Sequence, residues 1–230
     1  MAKLKTKNIK ADAKKPKVKS KGKKKETRDK ILNAASQIFA SYPYHTASIR
    51  MIGKQAEIEH PLISYYFASK ADLFRTVLTS LSKNRRELEI SWYEEIKTMS
   101  TARGLALFID YVLDDFRNRP GLLHIIALNL SQPPDLEPIP AFDIIQDFME
   151  FSVKSFVDSI KTNCSAHEGE MFARTFSSLM VMYLGASNTF ATLINKDPNS
   201  IIYYNWVKDA LIFTLLPRLE EMTKSGGGKS

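Results

Sequence analysis

HPLISYYFASKADLF, residues 60–74, decides how this chain is read. Pro61 fits a helix only in its first turn, where there is no amide hydrogen bond to lose, so a short helix starts at about His60. Three aromatics, Tyr65, Tyr66 and Phe67, end it. Ser69 followed by Asp72 then has the spacing of a capping box and opens a new helix. The apolar face of that helix runs through Phe74, Leu78, Leu81, Leu88, Trp92, Ile96 and Met99. A helix made only for the core would hide its aromatics and keep its charges away from them. Two tyrosines this close to Lys70 point to a surface partner.

Upstream, Ile31, Ala35, Ile38 and Tyr42 recur at four and three, one face of a helix that Pro43 stops. Thr46 or Ser48 can cap a second short helix through Ile49 and Ile52 to Gln55, and residues 56–59 form a turn. Helix, four-residue turn and short helix make a helix-turn-helix at about 46–66. In that arrangement the second helix enters the DNA major groove and the first crosses the backbone. Thr46, Ser48 and Arg50 are of the right type to bond phosphates, as are the tyrosine hydroxyls, while Lys70 adds charge at the start of the next helix.

Charge is unevenly placed. Residues 1–25 hold 12 lysines and one aspartate, +11 in all, which leaves −3 of the total +8 for the rest. This arm lacks the apolar run of a secretory signal and has too little apolar surface to offset its ordering entropy, so it is expected to be disordered. It serves either as a tether to nucleic acid or anionic membrane, or as a solubilising tail. Residues 224–230, KSGGGKS, are expected to be loose, with no strand ahead of them to make a phosphate loop. The single Cys164 cannot form an internal disulfide and fits a reducing cytoplasm. His45, His60, His124 and His167 have no metal-ligand spacing, and neither a nucleophilic triad nor a cofactor loop is visible. We therefore expect no metal, no cofactor and no enzyme.

Beyond Ser100 the helical pattern continues over 102–118, 121–131, 141–163, 167–195 and 199–222, broken at 119–121 and in the proline-rich SQPPDLEPIP at 131–140. The chain is thus all-α, with about nine helices. The helix opened by the Ser165–Glu168 capping box has one apolar seam in Phe172, Phe176, Leu179, Tyr183, Ala186, Phe190 and Leu193, and a second in Met180, Leu184, Ser187, Ala191 and Ile194. Residues 175–195 carry no charge, a length that could span a bilayer. Three serines, three threonines and Asn188 in that stretch, with no second span, favour a buried helix instead. The last helix, with Trp206 and Phe213, is nearly as apolar. Pairing these two helices with their copies in a homodimer covers both.

The run 27–78 resembles the N-terminal DNA-binding domain of the TetR (tetracycline-repressor) family of bacterial transcription regulators. The likeness lies in Ile31-Leu32, Ala34-Ala35, Ile38-Phe39, Ser48-Ile49-Arg50, Ile52, Tyr66-Phe67, Ser69-Lys70 and Leu73. It implies a DNA-binding domain over 26–72 and a larger helical domain over 73–223 for effector binding and dimerisation. It also implies a homodimer on a palindromic double-stranded operator, acting in the cytoplasm as a repressor that a small molecule releases. By position, Ser48, Tyr66 and Lys70 would touch phosphates with help from Thr27 and Thr46. His60, Pro61, Leu62, Ser64 and Tyr65 would meet bases or groove. The sequence departs from the family at Glu57 (usually glycine), Glu59 (a small hydroxyl cap), Ala47 (threonine) and Ser64 (tyrosine).

Residues 100–195 are rich in aromatics. Tyr111, Phe116, His124, Phe148, Phe151, Phe176 and Met180 are candidates for an effector pocket, with Phe156 in the same set and Asn129 and Asn188 as further polar groups. Such a pocket suits an apolar or aromatic effector. The alternative to a DNA regulator is a helical adaptor or membrane-surface protein that uses the lysine arm on anionic lipid.

Overall fold

The structure, a computed structural model, describes residues 18–130, 137–160 and 162–224. Among these are ten α-helices, one π-helical turn and no strand. In chain order the helices are α1 (Val18–Ser41), α2 (Ile49–Ala56), α3 (His60–Tyr66), α4 (Lys70–Ile96), α5 (Thr101–Asn118), α6 (Gly121–Leu130) and α7 (Phe142–Ser159). Then come α8 (Ala166–Met180), the π-helical turn Val181–Gly185, α9 (Ser187–Leu193) and α10 (Ile201–Thr223).

The local signals for helix ends act as physical chemistry requires. Ser48 Oγ accepts from the Met51 amide and Ser69 Oγ from the Asp72 amide. Asp72 reaches back one residue further than a standard box, to the Ala68 amide at 3.1 Å. At α8 the reciprocal box is complete, with both Ser165 and Glu168 engaged.

Ile31, Ala35 and Phe39 on α1 are fully buried or nearly so, and Phe39 meets Phe74 of α4 edge to face at 4.8 Å. α1 also starts at Val18, more than three turns before Ile31, the first residue of the apolar face read from the sequence. Residues 18–25, expected to be disordered, are helical: lysine is a good helix former, and extending a docked helix by two turns needs no new nucleus. The expected disorder of 1–17, most of the proline-rich break (131–136) and the loose tail (225–230) lie outside the described residues.

A second departure is the stretch expected as one helix over 167–195. The chain passes so close to α6 that a Cβ on Gly185 would lie 2.5 Å from the Leu123 carbonyl oxygen and 2.8 Å from Ala127 Cβ. The helix widens there, the Ala186 amide bonding back to the Val181 carbonyl, and Ala186 then leaves helical geometry (φ −105°, ψ 26°) before α9 begins. Of the second seam, Met180, Leu184, Ser187 and Ala191 are buried in the protomer's own core. The first seam divides. Phe172 is buried, stacked on Phe156 at 5.1 Å, and Phe176 leans on Phe108, so these two face the protomer's interior rather than an interface. Leu179 and Ala186 are half-buried, and Tyr183 and Phe190 cluster with Trp206. Leu193 (73% exposed) and Phe213 (85%) lie open.

α4 ties the two halves together. Its 27 residues, ~40 Å at 1.5 Å per residue, begin beside the short helices and end between α5 and α7.

Candidate nucleic-acid interface and effector cavity

The turn between α2 and α3 is held by backbone geometry. Glu57 caps α2 in the left-handed region (φ 53°, ψ 44°), the conformation that favours the glycine usual there. The Ile58 amide returns to the Gly53 carbonyl at 2.9 Å, and a Cβ on Gly53 would meet Ile58 O at 2.8 Å, so the fold-back requires glycine at 53. Glu59 starts α3 in extended geometry but makes no side-chain cap. Within α3 only Ile63 is buried; His60, Pro61, Leu62, Ser64 and Tyr65 all face outward together. Tyr66 is half-buried, and Phe67 (4% exposed) locks the helix end into the core, with the Arg28 guanidinium 5.2 Å above its ring.

The surroundings are basic. Lys23, Lys24, Lys25 and Arg28 of α1, with Arg50 and Lys54 of α2, are exposed. Lys24 Nζ donates to Tyr65 Oη at 2.9 Å, and this bond holds the Lys24 ammonium above its ordinary pKa. Thr46 is exposed in the α1–α2 turn, and Thr27 Oγ1 donates within α1 to Lys23 O. Glu57 leans on Lys30 at 3.3 Å, an exposed pair of little energetic consequence.

Lys70 has a second role that its position in the sequence did not reveal. Its ammonium donates to the carbonyls of Tyr44 (2.9 Å) and Ala47 (3.0 Å) and lies 4.2 Å over the Tyr44 ring. Burial lowers its pKa. Two of its three donors clamp the α1–α2 turn, which leaves one for a phosphate. The Tyr44 amide in turn donates to Asn129 Oδ1 at 2.9 Å, while Asn129 Nδ2 donates to Ile125 O at 2.7 Å. Asn129, 2% exposed, is therefore a joint between α6 and the helix-turn-helix, with both its oxygen and its nitrogen bonded to backbone.

A cavity of about 460 Å³ opens where α4 ends and α5 begins. α4 contributes Tyr93 and Ile96, α5 Leu105 and Phe108, α7 Phe156, α8 Phe172 and Phe176, and α10 Leu219; Lys97, Ser100 and Thr101 rim it. Of the pocket candidates, Phe176 and Phe156 line this space. Tyr111 stacks on Trp92, Phe116 on His124, and Phe151 carries the Arg86 guanidinium. Phe148 and Met180 border a smaller void of about 40 Å³. Burial pushes the His124 imidazole down, toward its neutral form. Asn188 is exposed beside a groove between α1 and α6. The wall of this cavity draws on five helices, and a one-helix periodicity does not show such a meeting.

Between cavity and joint, α4 carries a buried ionic cluster. Arg85 Nη1 meets Asp115 Oδ2 at 2.8 Å, and Asp115 also pairs with Arg119. Arg85 Nε is buried without a hydrogen-bond partner, with Glu89 4.0 Å away. Glu89, 3% exposed, accepts only from Ser152 Oγ at 3.1 Å among the described residues. Burial raises its pKa against the pull of Arg85, and burial beside Glu89 pushes the Tyr93 phenol well up.

Among the described residues no helix is long and apolar enough to cross a membrane, and no group of three His, Cys, Asp or Glu side chains could hold a metal ion. Residues 31–77 match the family described as bacterial regulatory proteins, tetR family. No curated protein sequence matches the chain. Among solved structures it is similar to a TetR-family regulator from Agrobacterium tumefaciens, with 17% identity over 87% of this chain and 99% of that one at a TM-score of 0.61. It is also similar to the regulator FadR of Bacillus subtilis in complex with stearoyl-CoA (19%, 80% and 96%, 0.54). A third likeness is NalD, the secondary repressor of the MexAB-OprM multidrug efflux pump of Pseudomonas aeruginosa (15%, 89% and 100%, 0.55).

Proposed function

We propose, from the premise that this chain carries a TetR-family N-terminal domain on an all-α TetR-like fold, that it is a homodimeric repressor which binds a palindromic operator and is released by an apolar or aromatic effector. One observation carries the reading. α3 turns five consecutive-face residues, His60, Pro61, Leu62, Ser64 and Tyr65, away from a core that Ile63 and Phe67 anchor, inside a ring of exposed cations. Those five side chains read base edges, and Ser48, Tyr66, the free donor of Lys70, Thr46 and Arg50 hold phosphates. Residues 26–72 act as the DNA-binding unit and 73–223 as the effector and dimerisation unit.

Dimerisation would cover the open apolar face around Leu193 and Phe213 and the half-buried cluster of Tyr183, Phe190 and Trp206. It would place two α3 helices about 34 Å apart on one DNA face. The effector occupies the 460 Å³ cavity. α4 forms part of its wall at one end and grips the α1–α2 turn through Lys70 at the other, so a shift of α4 on filling the cavity misplaces α3. The stearoyl-CoA complex of FadR supports a ligand with a long apolar part. The lysines ahead of α1 would add salt-sensitive, sequence-independent affinity.

Selection of genomic fragments by the full chain tests the reading. A short list sharing an inverted repeat is expected, with selectivity lost in Tyr65→Ala. Recovery of bulk DNA without a shared motif, alongside tight binding to anionic vesicles, would instead support an adaptor at a membrane surface.

A further inference from the structure

Two cations of α1 reach the aromatics at the end of α3. The Arg28 guanidinium lies 5.2 Å above the Phe67 ring, and Lys24 Nζ lies 2.9 Å from the Tyr65 hydroxyl and 5.4 Å from the centre of its ring. Residues four apart share a helix face, so both contacts come from one side of α1. The inner contact is an anchor, because Phe67 is buried. The outer one stands in the open: Lys24 is exposed and Tyr65 is 64% exposed, with the Tyr66 ring edge to face at 5.2 Å on its other side. Among the described residues the Lys24 ammonium bonds to the tyrosine and to no carboxylate.

The direction of this bond is fixed by chemistry. An ammonium has three hydrogens and no acceptor, so lysine donates and tyrosine accepts. The phenol hydrogen is thereby left to point away from Lys24, and two ammonium hydrogens remain free. A lysine alone is a point charge on a flexible stem, whereas one held on Tyr65 is directed. Presented to a partner, the pair offers donors only. Its complement is an edge with two acceptors and no donor. In the major groove that edge belongs to guanine, through N7 and O6. Adenine and cytosine each place an amino group there, which would face a donor, and thymine has one acceptor beside a methyl group. Phosphate oxygens also accept, but Tyr65 stands on the outward face of α3 with His60, Pro61, Leu62 and Ser64, away from Thr46 and Ser48 ahead of α2.

We infer that Lys24 and Tyr65 together read one guanine in each half of the operator, which makes Lys24 a specificity-determining residue that lies outside the helix-turn-helix. The inference rests on the reading of α3 as the recognition helix and adds the base that its end selects.

A duplex library with a randomised centre, selected with the full-length protein and with its variants, tests it. The wild type is expected to return an inverted repeat with a fixed guanine in each half. Lys24→Met should return the same repeat with that guanine relaxed, its advantage over other bases falling roughly five- to hundredfold. Tyr65→Phe, which removes the acceptor that holds Lys24, should relax the same position, and the double variant no further than either alone. On the best duplex, 7-deazaguanine in place of that guanine lacks the N7 acceptor; it should weaken the wild type severalfold and leave Lys24→Met unchanged. Both side chains are exposed, and thermal melts check that the variants fold. Affinity lost by Lys24→Met equally on every duplex, with base preference intact and the salt slope reduced by about one, would make Lys24 a phosphate contact and overturn the inference. A repeat in which no guanine responds to Lys24 would overturn it too, while leaving operator binding in place. No shared motif from the wild type would remove the reading of α3, and this inference with it.

Discussion

The two ends of α4 hold buried polar groups in opposite states. At the helix-turn-helix end the clamp around Tyr44 is closed, its amide on Asn129 and its carbonyl sharing the Lys70 ammonium with that of Ala47. At the cavity-facing end the cluster around Glu89 is looser, with Arg85 Nε unbonded and 4.0 Å from Glu89, which accepts from Ser152. Fully satisfied polar networks rigidify their surroundings, whereas incompletely satisfied ones keep a cost and stay looser. One helix thus carries a stiff joint toward the helix-turn-helix and a looser cluster toward the cavity.

That contrast can be broken at several points. Asp115→Ala should have the largest effect: it strips Arg85 of its close partner in a site where both side chains are nearly buried, and should cost about 3–5 kcal/mol in denaturant unfolding. Asn129→Leu leaves the Tyr44 amide buried and unpaired, a loss of about 2 kcal/mol. Its sharper signature is functional, because DNA affinity should become less sensitive to cavity ligands once α6 no longer holds the turn.

Glu89→Gln should change stability by under about 1 kcal/mol at neutral pH, since it removes a buried charge along with its attraction to Arg85. Its pH dependence carries the sign. The folded carboxyl titrates above its unfolded value, so the native state holds a proton that the unfolded chain has released. That contribution is complete below the unfolded carboxylate pKa and is lost as pH rises through the folded one. Relative to Glu89→Gln, the wild type should therefore lose stability as pH climbs from about 4. A flat difference across that window would mean Glu89 is charged and well paired throughout. Glu57→Gly should do least, a net gain of about 0.5 kcal/mol as relief of the left-handed strain outweighs the extra entropy glycine gives the unfolded chain. Combined with Glu59→Ser it should also tighten DNA binding, because two carboxylates leave the neighbourhood of α3.

The caps and the outward face of the helix-turn-helix were legible in the sequence, and the clamp behind them and the cavity were not, for a physical reason. Ser48, Pro61, Ser69 and Ser165 act on amides within a few residues of themselves, so their spacing alone carries the information. The outward set on α3 is the remainder of a two-turn helix once Ile63 is placed inside. By contrast, the cavity wall, the Asn129 bridge over 85 residues to Tyr44, and the break at Gly185 arise from helices far apart in the chain. Phe172 and Phe176 show the limit: their heptad spacing was right for an apolar seam, but which side of it would meet the protomer's own core depends on where α5 and α7 lie.

The two tryptophans of the chain occupy two different neighbourhoods. Trp92 is buried beneath the Arg85 guanidinium at 4.6 Å and meets Phe108 of the cavity wall at 5.9 Å. Trp206 sits half-buried with Tyr183 and Phe190, on the face that a second copy would cover. The protein is thus fitted with two intrinsic fluorophores, one placed to register filling of the cavity and the other to register the proposed association of two copies. With Trp206→Phe and Trp92→Phe, each signal can be followed alone, which gives the order in which the two events occur without any attached dye.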